Sequence, residues 1–192
     1  MTAATPPQAV VIGASAGAIQ ALSEILPALP TDFPLPILVV IHVPADRQDI
    51  LAPLFRKKCR IAVQEAEDKE MAEPGTVYFA PSDYHLLMET DGTLSLSSEE
   101  PVMHSRPSID VLFESAADAL GEALIGMVLT GANADGAAGL KTIAEAGGTV
   151  IVEDPAQAYA DAMPLAALKL CPNARVMTRE AIARFLAEEL AL

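Results

Sequence analysis

Three side chains in this sequence carry the chemical groups of an activated nucleophile, and each follows a predicted strand. Ser15 lies two residues after the apolar run at 9–13. His42 comes directly after the run at 37–41, and Asp135 follows a later run. The carboxyl ends of parallel strands meet at one edge of a sheet, where ligands bind. Because a hydroxyl, an imidazole and a carboxylate together make an alcohol oxygen reactive near neutral pH, the pattern favours acyl transfer by a serine.

Each of these residues also has a purely structural interpretation when it is considered alone. The segment GASAG around Ser15 fits the Gly-x-Ser-x-Gly turn between a strand and a helix, where a serine can simply cap the helix. A histidine at a strand end is often held by backbone groups, and Asp135 could cap a helix that begins near Gly136. The arrival of all three at the same edge of the sheet favours a catalytic triad.

The order of the three residues along the chain distinguishes this predicted triad from that of another large class of serine hydrolases. In α/β-hydrolases the serine is followed by the acid and then by the histidine, whereas here Asp135 comes last. A dinucleotide-binding domain is the alternative interpretation of the glycine-rich segment at 13–18. However, Ser15 stands where the second glycine would let pyrophosphate approach, and His42 stands where an acid would bind the ribose. The residues therefore favour a hydrolase.

Short apolar runs, typical of buried strands, alternate along the chain with segments whose apolar residues have helical spacing, and this alternation predicts the fold. Residues 77–97 instead alternate with a period of two around Asp91-Gly92, which predicts a β-hairpin inserted at a sheet edge. The predicted strands are 9–13, 37–41, 123–129 and 149–152, and the predicted helices are 16–26, 50–58, 107–120, 136–146, 163–170 and 178–190. The fold class that we predict is α/β, a single-domain, doubly wound, mainly parallel sheet flanked by helices.

Length and charge limit the classes of protein to which the chain can belong. Its 192 residues, 52% of them hydrophobic, are enough for one compact domain, predicted to span 9–192 after an extended or disordered N-terminus at 1–8. Twelve basic against 26 acidic residues give a net charge of -14. The chain is therefore expected to repel nucleic acid and anionic lipid, so neither is a predicted partner.

The two cysteines and the N-terminus point to a reducing compartment. Cys59 and Cys171 are far apart and have no metal-ligand spacing, so we expect no disulfide scaffold and no metal site. The sequence has no secretory signal pattern and no apolar stretch of about 18 residues. These features predict a cytoplasmic protein without membrane insertion.

Seven short segments occur in a characteristic order between about residue 9 and about residue 165. They are VIGASAG at 11–17, IHVP at 41–44, EAED at 65–68, PGTVYFAP at 74–81, SRPSIDVLF at 105–113, LTG at 129–131 and DGAAG at 135–139. Together they resemble the catalytic domain of the chemotaxis response-regulator protein-glutamate methylesterases. The combination is specific and covers most of the chain.

The resemblance implies an activity and a set of roles. It implies hydrolysis of glutamate methyl esters on the cytoplasmic helices of chemoreceptors, and often deamidation of glutamines there. Ser15 would be the nucleophile, His42 the general base, and Asp135 the residue that orients the imidazole. Backbone amides of Ala16 and Gly17, with that of Ala132 as a third candidate, are expected to hold the oxyanion, and no cofactor is implied.

The sequence departs from the family pattern at several positions near these residues. The family usually has a hydroxyl residue and a glycine where this chain has Ala16 and Ala18, and a methionine-glycine pair where it has Ala132 and Asn133. Backbone donors survive such changes, whereas side-chain contributions do not. The departures therefore affect the expected rate and substrate fit more than the expected reaction.

Two further residues are candidates for binding substrate. Arg106 could hold a carboxylate of the substrate helix in a bidentate way, or could form an internal ion pair with a neighbour such as Asp110. Met163 is a candidate for the wall of the substrate pocket. His85, on the hairpin, is expected to be a surface or packing residue, and no role is transferred to His104.

Family members usually carry a receiver domain before the catalytic domain, and here the first predicted strand begins at residue 9. The sequence leaves three interpretations open: a stand-alone esterase, a domain cut from a longer polypeptide, or a catalytic domain whose partner is a separate receiver domain or another regulator. Two alternatives to receptor demethylation stay open: a hydrolase of an unrelated small ester or amide, and a binding module that has lost activity on the same fold.

Overall fold

A computed structural model describes residues 5–42 and 50–190 of the chain, which form alternating strands and helices. The strands are β1 (Ala9–Ala14), β2 (Ile37–Ile41), β3 (Ala62–Glu65), β4 (Thr76–Phe79), β5 (His85–Met88), β6 (Leu94–Ser97), β7 (Leu124–Val128), β8 (Thr149–Glu153) and β9 (Arg175–Met177). The α-helices are α1 (Ala18–Ile25), α2 (Leu51–Arg56), α3 (Ile109–Leu120), α4 (Ala137–Glu145), α5 (Ala162–Leu170) and α6 (Arg179–Arg184). No helix in this part of the chain is long and apolar enough to cross a membrane.

Seven of the strands form one parallel sheet, in the order β3-β4-β2-β1-β7-β8-β9. The chain first leaves β1 toward β2 and later returns on the other side of β1 as β7. Such a reversal is the point of a doubly wound sheet at which loops separate and leave a crevice. The predicted α/β fold class is confirmed.

The apolar residues of the central strand alternate between two cores. Val10, Ile12 and Ala14 of β1 belong to one buried cluster, which also contains residues of α1, α2 and α6. Ala9 and Val11 belong to the other cluster, which contains residues of α3, α4 and α5. Because both faces of the sheet are covered, its inner strands are continuous apolar runs rather than alternating ones.

The hairpin forms where predicted, but not as an addition to the main sheet. Strands β5 and β6 pair in antiparallel fashion around Gly92 and form a separate two-stranded sheet. The apolar side of the hairpin, with Leu86 and Leu94, packs into the same cluster as Phe113 of α3. The prediction of an insertion at a sheet edge is wrong in this respect, since the hairpin covers a face of the domain.

Three strands of the parallel sheet were not predicted as such. Strand β4 is fully buried between β2 and β3, whereas its residues were predicted to belong to the hairpin region. Strands β3 and β9 are the two edges of the sheet, and both are short and largely exposed. An edge strand that is not buried on both faces lacks the apolar run by which the inner strands were recognised.

The ends of two predicted helices differ from the structure. Helix α3 begins at Ile109, so Pro107, which follows a cis peptide bond, lies before the helix and not in its first turn. Thr178 caps α6 by accepting a hydrogen bond from the Ala181 amide at 3.1 Å, as expected. At the N-terminus, residues 5–8 form no helix or strand, and residues 1–4 of the predicted N-terminal segment lie outside the described residues.

Candidate active site

Ser15 and His42 are brought together by the register of two neighbouring strands. Ala14 of β1 pairs with Ile41 of β2, and the His42 amide donates to the Ala14 carbonyl at 3.1 Å. Parallel strands lie about 4.8 Å apart, so the residues that follow this pair are close neighbours. Both line one cavity of about 250 Å³. The sequence therefore places a hydroxyl and an imidazole on the same cavity through register alone.

Asp135 reaches the same place from the opposite side of β1. Strand β7 pairs with β1, and beyond the strand ends the Ser15 amide donates to the Thr130 carbonyl at 2.9 Å. The loop that follows Thr130 carries Asp135 across the end of β1. There its Oδ2 lies 2.8 Å from Nε2 of His42. The crevice at the reversal of the sheet thus holds the imidazole and the carboxylate in direct contact.

The N-terminus of α3 forms the rest of the Asp135 environment. The Ser108 hydroxyl donates to Oδ1 at 2.9 Å, the Asp110 amide donates to Oδ1 at 2.9 Å, and the Ile109 amide donates to Oδ2 at 2.7 Å. These are the unpaired donors of a helix N-terminus, where the helix dipole also favours negative charge. The Asp135 carboxylate is therefore fully paired although its side chain is completely buried.

These contacts decide the ionisation of Asp135. Burial acts to raise the pKa of Asp135, but the hydrogen bonds from His42 and from the two α3 amides, together with the charge of His42, outweigh burial and lower it. The side chain is therefore a carboxylate at neutral pH. A carboxylate only accepts hydrogen bonds, so Nε2 of His42 must carry the proton that lies between them.

Residues that the sequence analysis did not assign to the site hold this cluster in place. The buried His85 accepts a hydrogen bond from the Ser108 amide on Nδ1 at 3.1 Å, and its Nε2 donates to the Glu100 carbonyl at 3.1 Å. His85 is thus a packing residue, as expected, but one that fixes the start of α3. Ser108 lies in the segment that carried the family resemblance, yet its contact with Asp135 is between distant parts of the sequence.

Asp110 is a second buried carboxyl group behind Asp135. Its Oδ1 accepts hydrogen bonds from the amides of Gly136 and Gly139 at 3.0 and 2.7 Å, which ties α3 to the start of α4. Burial raises the pKa of Asp110 to about 6, partly opposed by the Gly139 amide and reinforced by the charge of Asp135. The proposed pairing of Asp110 with Arg106 is not formed.

Asp110→Asn is expected to stabilise the protein at pH 7 to 8 by on the order of 1–3 kcal/mol. The carboxyl ionises at lower pH in the unfolded chain than in the folded one, so its cost to stability grows as pH rises from about 4 to about 6 and persists above. Asparagine keeps the acceptor for both glycine amides and does not titrate. Denaturant unfolding at pH 4 and at pH 7.5 measures this, and an equal effect of the substitution at both values would contradict it.

A third buried carboxyl group anchors the loop that ends β7. Glu153 is completely buried, and its Oε2 accepts from the Thr130 amide at 2.7 Å, while Arg179 lies 3.6 Å from Oε1. Burial raises the pKa of Glu153, against the opposing effects of the Thr130 amide and the Arg179 charge. The Thr130 hydroxyl in turn donates to the Ala16 carbonyl at 2.8 Å. The turn that carries Ser15 is therefore held by Thr130, which is itself held by Glu153.

Gly17 shapes the turn between Ser15 and α1. Its φ of 83° lies in the left-handed region, and a Cβ there would come within 2.6 Å of Cβ of Tyr159. Only glycine meets both conditions. Among the hydrogen bonds of the described residues, none uses the amide of Ala16, Gly17 or Ala132 as donor. The amides predicted to hold an oxyanion are thus available.

The two residues predicted to contact substrate both have partners within the protein. The Arg106 guanidinium pairs with Asp83, with Nη2 at 2.6 Å from Oδ1, and it also donates to the carbonyls of Ser98 and Glu99. Met163 is completely buried and packs on Gly131, so closely that a Cβ on Gly131 would lie 2.6 Å from Cε of Met163. Arg106 thus braces the segment before α3, and Met163 supports the loop after β7 from within, while a contact of either residue with substrate stays a prediction.

The second nitrogen of the His42 ring has a partner that the sequence analysis did not foresee. Asn133 lies in the loop between β7 and α4, and its Nδ2 is 3.1 Å from Nδ1 of His42. Its Oδ1 accepts from the Asp135 amide at 3.1 Å. The only available signal was the departure from glycine at this position, which indicates a new side chain but not what it contacts.

Comparison with known proteins identifies the family to which this arrangement belongs. A family model described as CheB methylesterase matches residues 10–186, which is most of the chain. The chain belongs to the CheB methylesterase family. The resemblance predicted from the seven segments is thereby confirmed, and these segments include Ser15, His42 and Asp135.

Relatives from several bacteria support the assignment to the CheB methylesterase family. A putative protein-glutamate methylesterase/protein-glutamine glutaminase of Leptospira interrogans is 48% identical over 176 residues, covering 92% of this chain and 91% of the relative. A protein-glutamate methylesterase/protein-glutamine glutaminase of Carboxydothermus hydrogenoformans is 40% identical over 188 residues, covering 95% of this chain and 55% of the relative. The length of this chain thus matches the Leptospira protein and about half of the Carboxydothermus one.

A solved structure shows the same fold. The CheB methylesterase catalytic domain of Thermotoga maritima superposes with a TM-score of 0.91 at 34% sequence identity, covering 96% of this chain and 100% of that chain. The parallel sheet and the covering hairpin are therefore those of a CheB methylesterase catalytic domain.

Proposed function

We propose that this chain is a protein-glutamate methylesterase that uses Ser15 as nucleophile, His42 as general base and Asp135 as the carboxylate that orients the base. The observation that carries the proposal is the 2.8 Å bond between Asp135 and Nε2 of His42, with Ser15 on the same cavity as the ring. The names of the relatives support the substrate, glutamate methyl esters and the matching glutamine amides.

The proposed reaction follows from which nitrogen of His42 carries the proton. Because Nε2–H is bound to the Asp135 carboxylate, Nδ1 has the lone pair that takes the proton of Ser15 as Oγ attacks the ester carbonyl carbon. Nδ1–H then gives this proton to the departing methoxide, which leaves as methanol. Nδ1 then takes a proton from a water molecule that attacks the acyl-enzyme, and it returns this proton to Oγ of Ser15 as the bond to the acyl carbon breaks and the glutamate carboxylic acid leaves. An amide substrate would release ammonia in place of methanol by the same steps.

The proposed oxyanion donors are the backbone amides of Ala16 and Gly17, with that of Ala132 as a further candidate. The first two precede α1, whose N-terminus adds a favourable dipole for developing negative charge. Their availability as donors and the left-handed backbone of Gly17, which fixes the direction of the turn, support this role. This chain has alanine at 16 and 132, where the family usually has a hydroxyl residue and a methionine, but the backbone amides at these positions are unaffected by the difference in side chain.

We propose that the partner is a helix of a chemoreceptor and that it packs on the apolar residues around the cavity. Ile19 lines the cavity and is 36% exposed, and Tyr159, which packs on Gly17, is 74% exposed. An exposed aromatic side chain beside a site is suited to contact a protein surface. The cytoplasm, where such receptor helices are found, is the proposed location, and a separate receiver domain is a proposed regulator.

Tyr159→Ala is expected to raise KM for methylated receptor about 5- to 50-fold, the loss of one well-packed aromatic contact. It is expected to leave hydrolysis of a small nitrophenyl ester within about twofold, since the small ester does not reach this side chain. Leu165→Ala, on the exposed side of α5, is a matched control. Equal losses on both substrates would show that Tyr159 supports the site rather than binding the receptor.

Release of methanol from receptor membranes carrying labelled methyl esters tests the proposed function directly. Time-dependent release by the purified chain is expected, accompanied by appearance of free glutamate side chains on the receptor. Hydrolysis of nitrophenyl esters with none of methylated receptor would instead favour a small-ester hydrolase. Absence of both activities in a folded protein would favour a binding module.

A further inference from the structure

The orientation of the Asn133 side chain is fixed by its two contacts. Its Oδ1 lies 3.1 Å from the Asp135 amide nitrogen, which can only donate. The group that faces Nδ1 of His42 at 3.1 Å is therefore the NH₂, which also can only donate. Asn133 itself is exposed, so it lies on the solvent side of an imidazole that is only 14% exposed.

The two neighbours of the His42 ring specify the same tautomer. The Asp135 carboxylate requires a proton on Nε2, and the Asn133 NH₂ requires a lone pair on Nδ1. In the part of the chain that the structure describes, Asp135 is the charged group in contact with the ring, and Asp110 lies behind it, while Ser15 and Asn133 are neutral. Asn133 therefore adds a constraint at the nitrogen that the proposed reaction uses as base.

This contact also occupies the base. Nδ1 has one lone pair in the plane of the ring, and a hydrogen bond from Asn133 uses it, so the Ser15 hydroxyl cannot donate to it at the same time. Among the described residues, the hydrogen bonds of the His42 ring are those to Asp135 and Asn133. Once Nδ1 has accepted the Ser15 proton, it faces the Asn133 NH₂ donor to donor, so the amide must move away during the reaction.

We propose that Asn133 is a positioning residue that selects the Nε2–H tautomer of His42 and caps its basic nitrogen in the resting enzyme. After the substrate ester has bound, the amide leaves Nδ1 and frees it for Ser15, so the hydrogen bond is broken within the enzyme–substrate complex. This inference rests on the proposed function and deepens it. It gives a role to Asn133, which stands where the family usually has a glycine: the side chain restrains the general base. The restraint acts on turnover rather than on the affinity for receptor.

Two substitutions separate the cap from a structural role. Asn133→Ala removes the NH₂ and is expected to raise kcat on a small nitrophenyl ester about 3- to 10-fold, the effect of one exposed hydrogen bond, with KM unchanged. Asn133→Asp keeps the acceptor for the Asp135 amide but turns a carboxylate oxygen toward Nδ1. It is expected to lower activity at pH 7 and to move the rise of the pH–rate profile to higher pH. Asn173→Ala, in an exposed turn before β9, is the matched control and is expected to leave both parameters unchanged.

Nitrogen NMR of the His42 ring gives a readout that needs no activity. In Ser15→Ala protein with labelled histidine, at a pH where the His42 ring is neutral, Nδ1 is expected to give a pyridine-type signal and Nε2 a pyrrole-type signal. In the Ser15→Ala, Asn133→Asp protein, Nδ1 is expected to become protonated at the same pH. This result would stand even if receptor demethylation were not observed, so a failure of the proposed function is distinguishable from a failure of this inference.

The inference is overturned by either of two results. One is a kcat of Asn133→Ala that is equal to or below that of the wild type, in a protein whose unfolding transition is unchanged. The other is a His42 ring spectrum that Asn133→Asp leaves as it is.

Discussion

Replacing Ser15 by alanine is expected to lower methanol release by at least about 10⁴-fold, because no other group of the site can form the acyl-enzyme. The same substitution is expected to leave the free energy of unfolding within about 0.5 kcal/mol of the wild type, since no hydrogen bond among the described residues uses the Ser15 hydroxyl. Methanol release from labelled receptor membranes and denaturant unfolding measure the two effects.

Ser23→Ala is the matched control for this prediction. Ser23 lies in α1, and its hydroxyl accepts a hydrogen bond from Lys58 away from the cavity lining. It is expected to retain full activity. Retention of more than about one hundredth of the activity by the Ser15 variant would remove this hydroxyl from the mechanism.

Asp135→Asn is expected to lower kcat by about 10³- to 10⁴-fold and to destabilise the fold by about 1–3 kcal/mol. Whichever way the new amide turns, its NH₂ faces one of two backbone donors of α3, the Ile109 or the Asp110 amide, and neither can accept. If the NH₂ faces His42, the ring must also place its proton on Nδ1, so the base is lost. Single-turnover kinetics on a small ester and denaturant unfolding report the two losses.

Ser108→Ala is a graded comparison for Asp135→Asn. It removes only one of the donors to the Asp135 carboxylate and leaves both backbone amides in place. A loss of about tenfold or less is therefore expected. An Asp135→Asn protein with more than a tenth of wild-type kcat would show that this carboxylate does not control the base.

The parts of the site that depend on strand ends could be predicted from the sequence. Ser15 and His42 each follow a buried apolar run, and the parallel register of those runs is enough to make them neighbours. The inner strands were recognisable because the sheet is covered on both faces. The edge strands β3 and β9 were not, because they are short and exposed and their pairing depends on a neighbour that is distant in sequence.

The support of the site could not be predicted in the same way. The donors that hold Asp135 come from the start of α3, 25 to 27 residues earlier in the chain, and no local pattern records which carboxylate they will face. Arg106 shows the same difficulty, since its partner Asp83 is 23 residues away and the sequence suggested the nearer Asp110. Side-chain pairs across a fold depend on how helices pack, and local sequence does not specify that packing.

Covalent labelling by a fluorophosphonate probe, followed by mass-spectrometric mapping of the adduct, tests the central claim most directly. The predicted result is one adduct per chain on the peptide that contains Ser15, absent in Ser15→Ala and formed at least about 100-fold more slowly in His42→Ala. Labelling of a different residue, or an equal labelling rate without the imidazole, would contradict the claim that His42 activates this serine.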